Sequence, residues 1–268
     1  MNAFELTNRE FKKFQSFIYD EAGISISDAK KQLVLNRLSK RLRHYGLNNF
    51  ENYLSLVHNG THSHEKQTLI DLLTTNETYF FREEKHFTFL KSTILTQFRG
   101  RKFRCWSAAC SNGAEPYSLA MVMDDTLGSG RWEILGTDIS SKVVDIAKKA
   151  KYDINVADKI PRDYLIKYCL KGVRTQSGVL MIDPAITAPI SFKRMNLNGN
   201  INIEGKFDLI MLRNIMIYFD LETKQKLVND LISKLHPGGY LIIGHSETLN
   251  GVTNKLNLIQ PSIYRLKL

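Results

Sequence analysis

The chain has 268 residues, 43% of them hydrophobic, which suits one large domain beside a small one. Lys and Arg number 37 against 27 Asp and Glu, a formal charge of +10 that points to an acidic partner. No run approaches the roughly 20 apolar residues of a membrane helix, the opening MNAFELTNREFKK lacks a secretory apolar core, and three cysteines without a CxxC pair make neither a disulfide framework nor a metal site, so a metal-free cytoplasmic protein is expected.

Residues 1–70 read as a small helical bundle. Thr7 and Glu10 have the spacing of a capping box, and Phe11, Phe14, Phe17 and Ile18 then recur at helical spacing as core. Over 29–45, Leu35, Leu38, Leu42 and Tyr45 form one apolar stripe. Lys30, Arg37, Lys40, Arg41 and His44 cluster on the opposite side, uninterrupted by an acid. A third helix follows Asn48, with Glu51 as its box partner and Phe50, Leu54 and Val57 inward; a fourth covers 65–73. The segment 72–84 is too rich in polar groups to be a passive linker, and Thr75 or Asn76 can cap a helix starting near Arg82, with Phe80, Phe81, Phe87 and Leu90 packed inward.

From residue 103 the pattern changes to alternating strands and helices. Residues 103–107 suit a buried strand, Ser111, Asn112 and Gly113 break it, and Pro116 suits a first helical turn. Cys105 and Cys110 flank that turn as buried packing. About 25 residues later Ile134 and Leu135 lead into Asp138, where an open α/β sheet offers a carboxylate to the two hydroxyls of a ribose. GxGxxG and GxxxxGKS are both missing, so a nucleoside without phosphates fits best. Between 152 and 195 the rhythm weakens around Pro161, Pro184 and Pro189, with short apolar runs at 179–182 and 190–192, and a small antiparallel insertion is expected. A buried strand at 207–212 ends on Arg213 and Asn214. A helix over 221–235 is closed by Pro237, Gly238 and Gly239, which turn the chain into another strand. Alternation over 262–268 gives a last strand, antiparallel beside 240–244, hence a mostly parallel sheet with one reversed strand.

NETYFFRE (76–83), AEPYSLAM (114–121), GTDIS (136–140), RNIMIYFD (213–220) and GHSE (244–247) occur in this order, and together they resemble the CheR family of chemotaxis receptor methyltransferases. The resemblance spans nearly the whole chain. It implies an α/β, Rossmann-like class I methyltransferase domain at 91–268 with an antiparallel subdomain at about 152–195. An all-α receptor-docking domain at 1–70 and a linker at 71–90 that contributes to the cofactor site would precede it. The implied reaction moves the methyl of S-adenosylmethionine to glutamate side chains on the cytoplasmic helical bundle of chemoreceptors, leaving S-adenosylhomocysteine. Residue by residue, Asn76, Thr78, Arg82, Glu115, Asp138, Asn196, Leu197, Arg213 and Asn214 would line the cofactor pocket, and Lys30, Arg37, Lys40, Arg41 and His44 would dock the receptor. The family turn usually reads GEEPYS; here Ala114 replaces the first Glu.

A glutamate is already an ionised nucleophile at neutral pH, so no general base is needed. Arg82 and Tyr218 are therefore expected as the catalytic pair in an orienting role, with a core tyrosine as the plainer reading of Tyr218 and a structural hydrogen bond as that of His245. In the family the antiparallel subdomain can hold a C-terminal receptor tail as an extra strand, which makes the loop KGVRTQSG (171–178) informative here. The chain is expected as a monomer that meets the membrane only through its receptor. Two rivals stand behind this assignment. A nucleic-acid methyltransferase would use the same basic helix, but stacking aromatics and an NPPY-like strand end are missing. A non-catalytic S-adenosylmethionine sensor would not need Asn76, Arg82, Asp138 and Tyr218 all intact.

Overall fold

The computed structural model describes residues 4–60, 62–98 and 100–267; Leu268 of the expected last strand and the first three residues of the helical domain lie outside them. Helices α1 (Asn8–Ala22), α2 (Lys31–Tyr45), α3 (Phe50–His58) and α4 (Glu65–Leu73) form the N-terminal bundle. The capping box is present on α1: Thr7 Oγ1 accepts from the Glu10 N–H (3.2 Å), and Glu10 accepts from the Thr7 N–H (2.9 Å). Glu10 also accepts from the N–H groups of Phe50 and Glu51, so one carboxylate closes the starts of both α1 and α3. Phe11, Phe14, Phe17 and Ile18 are buried as expected.

Two expectations shift. The buried row of α2 is Val34, Leu38 and Leu42, with Leu35 and Tyr45 only half-buried, and α3 is capped by Asn49, whose side chain accepts from the Asn52 N–H (2.8 Å). Glu51 pairs with Lys13 and closes no box. The reason for the α2 shift is Glu65, which is fully buried at the head of α4. It accepts from Arg41 (2.8 and 2.6 Å), Tyr53 (2.6 Å) and Tyr45 (2.9 Å), so the row holding Arg41 and Tyr45 must face the bundle. Burial works to raise the Glu65 pKa, but these donors outweigh it and hold it below the ordinary value.

Arg41 thus leaves the solvent-facing basic side of α2 for an internal ion pair. Removing one partner of such a pair strands the other charge, so Arg41→Ala should cost about 3 kcal/mol in denaturant unfolding. Lys40→Ala, at an exposed position, should cost nothing measurable.

Helix α5 (Lys85–Phe89) runs through a π turn (Leu90–Ile94) into α6 (Leu95–Gln97). It starts after Glu84 without a side-chain cap, so neither Thr75 nor Asn76 serves as one; both belong to the extended segment that borders the cleft described below. Phe80, Phe81, Phe87 and Leu90 are buried as expected.

The sheet is built from β1 (Phe103–Ala108), β2 (Trp132–Asp138), β6 (Ile190–Arg194), β7 (Phe207–Leu212), β8 (Leu235–Ile243), β9 (Leu256–Gln260) and β10 (Ile263–Leu266), in the order β6-β2-β1-β7-β8-β10-β9. Only β10 is reversed; it pairs antiparallel with both neighbours. Helices α7 (Ala114–Leu127), α8 (Ser141–Lys149) and α11 (Leu221–Ser233) connect strands of this sheet. The insertion carries β3 (Lys151–Asp153), α9 (Arg162–Tyr168), β4 (Cys169–Lys171), β5 (Val179–Ile182) and α10 (Pro184–Thr187), with an antiparallel sheet of order β3-β5-β4.

The apolar run at 190–192 was expected in that insertion but belongs to β6, parallel to β2 from Ile134↔Ile190 to Asp138↔Arg194. Pro237, Gly238 and Gly239 lie inside β8, where its register against β7 shifts, with Gly238 at φ 74°. They form an irregularity within the strand rather than the turn before it. Strand β9 was not foreseen, because Leu256 is its only buried residue. Trp106, Ile210 and Leu212 from the sheet belong to the same buried cluster as Phe14, Ile18 and Leu38 of the helical bundle, so bundle and sheet share one core.

Candidate active site

The strand order reverses between β1 and β7, and ligands of open α/β sheets bind in the crevice at that switch point. Three strand ends meet there. After β1, Ala109 (φ 63°), Ser111 (φ 50°) and Gly113 (φ 88°) turn the chain sharply into α7. A Cβ at Gly113 would come within 2.8 Å of the Ala147 Cβ on α8, so the close packing of the two helices requires glycine. Strand β2 ends on Asp138, and β7 is followed by Arg213 and then Asn214 in the left-handed region (φ 58°).

These ends, the segment 74–78 with Arg82, and residues from α1 to α2 enclose one cleft of about 1170 Å³, open mouth included. Asn76, Thr78, Arg82, Glu115, Asp138, Asn196, Leu197, Arg213, Asn214 and Tyr218 all border it. Of the expected docking residues, Lys30 and Arg37 border it too, whereas Lys40, Arg41 and His44 do not.

The interior is acidic. Asp138 is 5% exposed and accepts from the N–H groups of Ser111 (2.8 Å) and Ser140 (3.0 Å), one on each oxygen. An ionised carboxylate has about four acceptor positions, so two remain. Burial pushes its pKa up, with the two N–H groups offsetting part of the effect. Arg213, 3% exposed at its side chain, bridges Glu115 (2.7 Å) and Glu83 (2.9 Å) and also donates to the Arg82 carbonyl. Glu115 accepts from Ser107 as well (2.7 Å). One guanidinium therefore stands between two carboxylates.

The mouth is basic. Arg82 donates to the Glu77 carbonyl (2.8 Å), with its guanidinium 5.8 Å from the Tyr79 ring. Arg37 donates to the carbonyls of Leu72 (3.0 Å) and Thr74 (2.9 Å), and burial pushes its pKa down. Lys30 sits 4.9 Å over the Tyr218 ring. Among the described residues none of these three cations has a carboxylate within ion-pair distance. The Asn196 side chain is taken up by the Glu21 carbonyl and the Asn198 N–H, so that residue joins α1 to the cleft floor.

Sequence reasoning missed two acids. Glu83 accepts from Arg213, from Asn214 Nδ2 (3.2 Å) and from the His245 N–H (3.2 Å). Burial works to raise its pKa, but Arg213 and Asn214 outweigh it and hold it below the ordinary value. Glu247 accepts from the N–H groups of Asn214 (2.9 Å) and Gly244 (2.7 Å). The available signal was position, since each acid ends a motif, NETYFFRE and GHSE.

Two family models match the chain: the CheR methyltransferase all-alpha domain over residues 9–74 and the CheR methyltransferase SAM binding domain over residues 76–265. The chemotaxis protein methyltransferase of Escherichia coli (strain K12) is 36% identical over 264 residues, covering 97% of this chain and 92% of the relative. That of Borreliella burgdorferi is 36% identical over 272 residues, covering 97% and 95%. Among solved structures, the N-methyltransferase NodS from Bradyrhizobium japonicum WM9 in complex with S-adenosyl-L-homocysteine aligns with a TM-score of 0.45 at 12% identity, over 76% of this chain and 98% of that one.

Proposed function

This chain belongs to the CheR methyltransferase family, and from that premise we infer that the acidic interior of the cleft holds a cationic cofactor while its basic mouth receives an acceptor carboxylate. The activity is transfer of methyl from S-adenosylmethionine to receptor glutamates in chemotaxis. S-adenosylmethionine supplies a methyl carried on a sulfonium, a positive charge that suits the Asp138 and Glu115 carboxylates bordering the cleft. The free acceptor positions of Asp138 suit ribose hydroxyls, and Asn76 and Thr78 offer hydrogen bonds to the amino-acid end.

The observation that carries this reading is the polarity of the cleft. Lys30, Arg37 and Arg82 draw a carboxylate to the mouth and fix its direction. No residue needs to remove a proton, because a glutamate arrives ionised. Arg82 and Tyr218 serve by orientation, which is the larger part of the task when two bound reactants must meet in line. A cation that gripped the attacking oxygen tightly would weaken it, and Arg82 already shares its donors with the Glu77 carbonyl.

The receptor bundle would dock along the exposed side of α2, through Lys40 and His44, and run on to Lys30 and Arg37 at the mouth. Strand β4 has a free edge with Leu170 and Val173 exposed beside it, which suits addition of a receptor tail as a further strand. The enzyme would act as a monomer in the cytoplasm, reaching the membrane only through its receptor. Among the described residues no helix is long and apolar enough to cross a membrane.

The test is transfer of tritiated methyl from S-adenosylmethionine to receptor-rich membranes, with nucleic acid and buffer as parallel acceptors. Base-labile label on full-length receptors is expected, with less on receptors lacking their C-terminal tail. Base-stable label on nucleic acid would replace this reading with the rival one, and equal label on tailless receptors would remove the role of β4.

A further inference from the structure

Helix α8 opens directly after the strand end that carries Asp138, yet it brings no cap of its own. Ser140 occupies the N-cap position, makes no cap hydrogen bond and leaves its buried hydroxyl without a partner among the described residues. The first N–H groups of a helix need acceptors from outside it. Here the acceptor comes from the helical bundle, 70 residues away in sequence. Asp71 on α4 accepts from the Ser141 N–H (3.1 Å), the Ser141 hydroxyl (2.8 Å) and the Lys142 N–H (3.4 Å). The helix dipole favours a carboxylate at that end as well.

Gln67, one turn earlier on α4, continues the joint. Its Nε2 donates to Asp71 (2.7 Å) and to the Ile139 carbonyl (2.9 Å), and its Oε1 accepts from Arg194 at the end of β6 (2.6 Å). The reversed amide would set its oxygen against two acceptors and its N–H groups against a guanidinium, so the network admits one orientation.

Together Gln67 and Asp71 grip residues 139, 141 and 142. Between them lies Ser140, whose N–H holds one oxygen of Asp138, and Ile139 itself borders the cleft. The loop that carries the Asp138 carboxylate is therefore fastened from behind by the bundle. Burial first, and the charge of Asp71 after it, raise the Asp138 pKa, so the two acids feel each other across this loop.

We propose that Asp71, held by Gln67, is a positioning residue for the cofactor: it caps α8 from the helical bundle and fixes the turn at 138–141, so that Asp138 meets the ribose already in place. The effect on binding rests on the S-adenosylmethionine reading of the cleft given above; the cap does not.

Asp71→Ala should raise the Kd of S-adenosylhomocysteine, read by calorimetric titration, about tenfold, because a loop that must be ordered on binding loses affinity. With receptor-rich membranes the KM for S-adenosylmethionine should rise by a similar factor, while kcat at saturating cofactor stays within about twofold of the parent. Asp71→Asn keeps an acceptor oxygen, and asparagine caps helices as well as aspartate does, so its Kd should stay within about threefold. Thr7→Ala, which removes the α1 cap in the same bundle, is the stability control: it and Asp71→Ala should each lose about 2–4 °C in melting temperature, but Thr7→Ala should keep the parental Kd. Amide exchange at Ser141 and Lys142 should quicken in Asp71→Ala and not in Thr7→Ala. Unchanged exchange at both amides in Asp71→Ala would overturn the cap, and a parental Kd in that variant would overturn the positioning role. Equal losses of affinity in Asp71→Ala and Thr7→Ala would reduce the effect to bundle stability and overturn it too. A parent that binds no S-adenosylhomocysteine would overturn the functional reading and this proposal together, whereas a parent that binds beside an Asp71→Ala that binds equally well overturns this proposal alone.

Discussion

Asp138→Asn is expected to cost about 100-fold in S-adenosylmethionine affinity, from about 3 kcal/mol of charge-assisted hydrogen bonding to the ribose. The same variant should gain stability relative to the parent as pH rises. Burial raises the Asp138 pKa in the folded chain above its unfolded value, so the folded state holds that proton more tightly. Stability that depends on the bound proton is present below the ordinary carboxylate value of about 4 and is lost as pH climbs through the raised value. Asparagine cannot ionise and escapes that loss. The amide also gives up one acceptor oxygen to a backbone N–H, a penalty that does not vary with pH, so the informative quantity is the trend. Melting of both proteins without cofactor at about pH 4 and about pH 7, with calorimetric titration of S-adenosylmethionine at the higher pH, checks both parts. Parental affinity in the variant would remove Asp138 from the ribose site, and a melting difference independent of pH would mean that the carboxylate carries no burial cost.

Local chemistry made much of this legible. The capping box of Thr7 and Glu10, the aromatic run behind it and the strand ending on Asp138 each depend on residues close in sequence, and each is present. Asp138, Arg213 and Asn214 were legible for a related reason, since they stand at strand ends that the topology brings to one crevice, whereas Asn76, Thr78, Arg82, Glu115, Asn196 and Leu197 came with the family resemblance. What sequence could not show was where charges are buried. Arg41 reads as one more cation on a basic stripe, and only Glu65, 24 residues away, turns it inward. Asp71 and Ser141 are 70 residues apart, and nothing local marks either as the other's partner. Strand β6 was misassigned because its half-exposed edge position gives it the sparse pattern of a small insertion strand.

Arg82→Ala is expected to lower kcat about 100–1000-fold, the usual effect of removing one preorganised polar group from a reacting centre. Melting should stay within about 0.5 kcal/mol of the parent. The two halves separate because Arg82 is tied to the protein by little: one hydrogen bond to the Glu77 carbonyl and a contact with the Tyr79 ring. Arg213 makes the opposite case. Its side chain is 3% exposed between Glu83 and Glu115, so its removal would leave two half-buried carboxylates without their cation and would confuse unfolding with lost chemistry. Arg82 is therefore the cleaner probe of the transfer step. Arg82→Lys keeps the charge but loses the planar fork, so it should recover part of kcat and not all of it. A kcat loss with unchanged cofactor affinity assigns Arg82 to the acceptor, and a matched loss of affinity assigns it to the carboxylate of the cofactor. Full activity in Arg82→Ala, with melting unchanged, would take Arg82 out of the site.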